Sequence, residues 1–145
     1  MARHGDSAFG FPDERINEDH RALFKLLDQI ATHRRKTDRE ELELLLKRLL
    51  EGTLHHFAHE ESLMRASRYS GSLDHQKQHR SISKTIQEAL GQVSQGQMIS
   101  PLDIERIKQA YTFHFKRDDL PLMTSPQTSA IMEFRTGQRT AAVLK

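Results

Sequence analysis

A chain of 145 residues, 36% hydrophobic and 29% charged, is long enough for one modest core and too apolar for wholesale disorder. Its 22 basic and 20 acidic residues nearly cancel to a formal +2, which argues against a nucleic-acid partner, because such proteins gather one sign of charge into a patch. There is no Cys, so disulfides, thiolate zinc sites, iron–sulfur clusters and cysteine nucleophiles are all excluded, and any metal must be held by nitrogen and oxygen.

Residues 1–17 carry Gly5, Gly10, Pro12, Phe9 and Phe11 and read as an extended arm whose two Phe pack across an end of the domain. Nothing here has the apolar core of a signal peptide, and no apolar run approaches the ~20 residues of a membrane span, so a cytoplasmic protein without membrane contact is expected. Asp13 or Asn17 is placed to cap a first helix over about 18–36, with Asp19 in its first turn. Leu23, Phe24, Leu26, Leu27 and Ile30 follow helical period, and His20 shares their stripe. The basic run His33-Arg34-Arg35-Lys36 falls at the end of this helix, where the dipole favours cations.

Asp38 is a good cap for a second helix over about 39–66. Its stripe is Leu42, Leu45, Leu46 and Leu49, then Thr53, His56, Phe57, Glu60 and Met64. Polar residues thus replace apolar ones at unbroken spacing, with Gly52 at the change. The third helix, about 73–94, mirrors this pattern: His75 and His79 first, then Ile82, Ile86, Ala89, Leu90 and Val93. Ser100 and Pro101 open a fourth helix over about 101–118, with Leu102, Ile104, Ile107, Ala110, Tyr111, His114 and Phe115 on its stripe. Pro121 is expected to stop it. The tail, 122–145, is rich in Ser, Thr and Gln; Ile131, Met132 and Phe134 could form a short helix or docking segment.

Four amphipathic helices with short connections predict an all-α, up-down-up-down antiparallel four-helix bundle over 18–121, between the arm and the tail. In that topology the start of the first helix, the end of the second, the start of the third and the end of the fourth share one end of the bundle. His20, His56, Glu60, His75, His79, His114 and an aspartate from 118 or 119 therefore converge on one interior pocket. Burying a carboxylate without a partner is expensive, so something positive is expected there. Five imidazoles and two carboxylates exceed the needs of one ion and suit two. Imidazole with carboxylate is compatible with iron, manganese, zinc or copper.

The segments Ile16-Asn17-Glu18-Asp19-His20, His56 to Met64, His75-Gln76-Lys77-Gln78-His79 and His114 to Asp119 resemble those of hemerythrin-like proteins, specifically bacterial hemerythrins. The match covers 14 to about 120 in the family's order, H…HxxxE…HxxxH…HxxxxD. The resemblance implies a non-haem di-iron centre that binds O2 reversibly. It implies that His75, His79 and His114 hold one iron, that His20 and His56 hold the other, and that Glu60 and Asp119 bridge them. Spacing alone favours Asp118, because Asp119 lies ~140° around a regular α-helix from His114; the family pattern favours Asp119 and requires the helix to loosen. There is no Trp, and Phe9, Phe11 and Tyr111 are placed to substitute for the family's aromatic residues. His55 and His59 form a second i,i+4 pair, ~100° from His56, and read as flanking surface residues.

Three functions fit. The first is O2 binding for sensing, delivery or storage, with Phe24, Phe57, Met64, Ile82 and Tyr111 lining a dry pocket. The second is a di-iron enzyme handling peroxide or NO. The third is a metal-stabilised regulatory domain that meets a protein partner through 122–145.

Overall fold

The computed structural model describes residues 14–33 and 39–131. The elements are α1 (Glu14–His33), α2 (Arg39–Ser67), α3 (Ser72–Ser94), α4 (Pro101–His114), a π turn (Phe115–Asp119) and α5 (Leu120–Thr124), and residues 126–131 are again helical. No strand occurs among the described residues. α1 packs on α2 and α4, and α3 packs on the same two helices, which closes a ring of four. The predicted all-α bundle is therefore the fold.

The apolar half of the stripes fills one end of the ring. Leu27, Ile30, Leu46, Leu49, Ile86 and Val93 are each at most 1% exposed, and each contributes on the order of 1.5–3 kcal/mol by leaving water. Leu102 does not join them and is 58% exposed. It precedes Ile104 by two residues, which is ~200° around the helix, away from the face that Ile104, Ile107 and Tyr111 bury. Ile99, just before the helix, is buried instead.

Two ends are set by local chemistry. Ser100 and Asp103 form a capping box: the Ser100 hydroxyl accepts from the Asp103 N–H at 3.1 Å, and the Asp103 carboxylate accepts from the Ser100 N–H at 3.2 Å. At the end of α2, Arg68 adopts φ 52°. The Tyr69 N–H then reaches the Met64 carbonyl at 3.1 Å and the Arg68 N–H the Arg65 carbonyl at 3.3 Å, a Schellman closure that turns the chain into α3.

Three boundaries differ from expectation. α1 begins at Glu14, so Asn17 is no cap; it is buried inside the helix and donates to Glu14 at 3.1 Å. Pro121 does not stop the chain, because the π turn ends just before it and leaves Pro121 in the first turn of α5, where its missing N–H is tolerated. The segment after 121 is no free tail at its start, since Leu122, Met123 and Thr128 are fully buried. The expected roles of Phe9, Phe11, Asp13, Asp38, Met132 and Phe134 fall outside the described residues.

Candidate metal centre

The polar half of each stripe meets at the other end of the ring. His20 from α1, His56 and Glu60 from α2, His75 and His79 from α3, His114 from α4 and Asp119 from the π turn are all at most 3% exposed. Their ligand atoms fall into two groups, each within 4.8 Å: Glu60, His75, His79, His114 and Asp119 form one, and His20, His56 and Asp119 the other. His55 and His59 belong to neither group; His55 is exposed and His59 half-buried.

Asp119 is common to both groups, and its two oxygens divide between them. Oδ1 lies 2.8 Å from His75 Nε2 and 2.9 Å from His114 Nε2, while Oδ2 lies 3.7 Å from His20 Nε2 and 4.0 Å from His56 Nε2. Glu60 Oε1 sits 3.2 Å from His56 Nε2 and 3.3 Å from His79 Nε2, and Oε2 is 3.5 Å from His75 Nε2. The π turn decides which aspartate arrives. A wider turn brings a residue five positions on, rather than four, back to the face of His114. Asp119 therefore enters the interior, and Asp118 is left beside the outer nitrogen of His114.

These close approaches are poor hydrogen bonds. Both oxygens of Glu60 and of Asp119, and the Nε2 atoms of His75, His79 and His114, are buried with no hydrogen-bond partner. Native cores rarely leave such groups unsatisfied. Their lone pairs converge on shared points instead of on one another, which is the arrangement a cation requires. A donor set of imidazole and carboxylate without sulfur fits a divalent transition metal. On the other side of Asp119, His20 Nε2 and His56 Nε2 face one another at 3.1 Å, within hydrogen-bond distance.

The outer nitrogens orient the rings. His56 Nδ1–H donates to Asp19 at 3.1 Å and His114 Nδ1–H donates to Asp118 at 2.9 Å, whereas His79 Nδ1 has no hydrogen-bond partner and lies 3.6 Å from Glu61. Carboxylates at that position turn Nε2 inward and raise its basicity. Two rings are also clamped by aromatic faces: Phe57 stacks on His79 at 3.8 Å and Phe115 on His20 at 3.5 Å. Sequence reasoning placed Asp19 only as a first-turn acid and Phe115 only as core. The available signal was position: Asp19 adjoins His20 and Phe115 adjoins His114.

Of the predicted pocket residues, Phe57, Met64, Ile82 and Tyr111 are buried, and Phe24 is half-buried with its edge on Phe115 at 5.9 Å. The Tyr111 hydroxyl is hydrogen-bonded to Thr53, deep in the core.

Charge in the pocket is unevenly distributed. Burial raises the Glu60 carboxyl well above the usual range, and the neighbouring Asp119 carboxylate adds to the shift. Burial opposes charge on Asp119 as well, but the Glu60 carboxyl and the His114 and His20 imidazoles outweigh it and hold Asp119 well below that range. Burial likewise works against protonated His56 and His114, yet the carboxylates prevail and raise them to about 10 and about 9. His79 is lowered to about 2 by burial and by the neighbouring His114 and His75.

The sequence profile of the family described as Hemerythrin HHE cation binding domain matches residues 12–123. Two curated relatives, each called a hemerythrin-like protein, come from Naegleria gruberi and Naegleria fowleri. Each is 31% identical to this chain over 115 residues, covering 79% of this chain and 86% of the relative. No solved structure matches the chain significantly. No helix among the described residues is long and apolar enough to cross a membrane.

Proposed function

The chain belongs to the hemerythrin family of HHE cation-binding domains, and on that footing we propose that it is a non-haem di-iron protein that binds O2 reversibly. His75, His79 and His114 would hold one ion, His20 and His56 the other, with Glu60 and Asp119 shared between them. When bound, the iron pair supplies the redox chemistry that O2 binding needs. The observation that carries this reading is the division of Asp119, one oxygen toward His75 and His114, the other toward His20 and His56. With three imidazoles for one ion and two for the other, the His20 and His56 side would be the one to accept an outside ligand.

The chain's own residues would orient and protect. Asp19 and Asp118 fix the rings of His56 and His114. Phe57 and Phe115 hold His79 and His20 and exclude water from the ring faces they cover. Of the two side chains that could serve a catalyst as proton donors, Tyr111 and His59, Tyr111 is engaged with Thr53 deep in the core.

Elemental analysis of the purified protein with a visible spectrum tests the proposal. Two iron atoms per chain, and a charge-transfer band that appears when O2 meets the ferrous protein and fades when O2 is removed, are expected. A chain that loads iron yet stays colourless and takes up no O2 would refute it.

A further inference from the structure

Outside the buried cluster, α2 and α3 enclose a groove of about 420 Å³ lined by Leu54, Phe57, Glu61, His79, Arg80, Ser83, Lys84 and Gln87. That volume lies in the range of small-molecule sites. Its floor is formed by two buried rings, Phe57 and His79, which lie face to face, 7° from parallel, with Phe57 the apolar one. Its rim carries Leu54, which is 47% exposed although the core has no use for it there. Arg80 and Lys84 stand one helical turn apart on α3. Glu61 is the one acid in the lining, against the two cations; Glu88, outside it, lies 4.0 Å from Lys84 in an exposed, solvent-screened pair. Glu61 is moreover turned toward His79 Nδ1 at 3.6 Å. The Ser83 hydroxyl is committed to the His79 carbonyl at 2.8 Å, so it adds no competing donor.

We propose that this groove binds a small organic anion with an apolar body, a medium-chain carboxylate in chemical class, its charge held by Arg80 and Lys84 and its body laid on Leu54 and Phe57. The occupant is identified by complementarity: a positive rim above an apolar floor selects an amphiphile that is negative at one end. A molecule seated there touches the outer side of His79, so occupancy is felt at the metal centre. This coupling, unlike the binding itself, rests on the metal-binding reading of the cluster.

The test is calorimetric titration of the full, metal-loaded chain with decanoate, beside the neutral 1-decanol. Saturable binding of one decanoate per chain, about tenfold or more tighter than the alcohol, is expected. The double variant Arg80→Glu/Lys84→Glu changes only exposed side chains and should keep its helical circular dichroism while losing at least about tenfold in affinity. No saturable heat, equal affinity for the alcohol, or an unaffected double variant each overturns the proposal. The visible spectrum reads the coupling: it should shift with decanoate. A spectrum unmoved at saturation overturns the coupling. A protein with no band at all overturns the O2 reading, and the calorimetry still decides the groove.

Discussion

Loading metal into this pocket should expel protons, and the structure sets how many. His56 and His114, raised to about 10 and about 9, are both protonated at pH 7 in the metal-free chain. An imidazole must be neutral at the ligating nitrogen, so each gives up a proton when it ligates. Two protons are then released per chain from these rings. By linkage, two protons make the apparent affinity fall about a hundredfold per pH unit of acidification, or about 2.7 kcal/mol. The trend holds below about 9, where both rings are charged in the metal-free chain. Anaerobic titration of metal-free protein with Fe(II) in weakly buffered solution, with base added to hold the pH, counts the protons directly. Competition with a chelator at several pH values gives the slope. Proton release near zero, with affinity flat from roughly pH 6 to 8, would refute this account of how the pocket is charged in the absence of metal.

Further outcomes follow from single contacts. Asp119→Asn should abolish metal retention on the His20 and His56 side, whereas Asp118→Asn should keep the metal but weaken it about 10- to 100-fold, as read by chelator competition. Without metal, the chain should lose stability as pH rises from 6.5 through about 10, because His56 is raised in the fold and its stabilisation is complete only below its unfolded value; urea midpoints at pH 7 and 10 check this. Thr53→Val leaves the Tyr111 hydroxyl buried without its partner and should cost about 1–3 kcal/mol in urea unfolding, with Tyr111→Phe added to it recovering most of the loss. Arg68→Gly relieves a left-handed backbone at an exposed helix end and should raise stability by about 1 kcal/mol, visible as a higher melting temperature.

Four helices, their neighbours and six of the seven pocket residues were legible from periodicity, and the seventh, Asp119, only through the family's motif. An amphipathic stripe specifies which side chains face inward whatever the partner, and polar residues that interrupt it at unbroken spacing, such as His56 and Glu60, must face inward too. Short connections then force the polar halves to one end of the bundle. Periodicity is blind wherever the backbone departs from the regular helix. The π turn exchanged Asp118 for Asp119 in the interior and carried the chain past Pro121 into α5, because one wider turn shifts every later side chain around the axis. Side-chain partners from different helices were equally hidden: the Asp19 contact to His56 joins residues 37 apart, and the stacking of Phe115 on His20 joins α1 to the π turn. The groove beside His79 also exists only once α2 and α3 are packed. Sequence alone determined which residues are driven inward, since that is a property of each helix; only the tertiary structure decided which atoms meet, since that depends on the distances between helices.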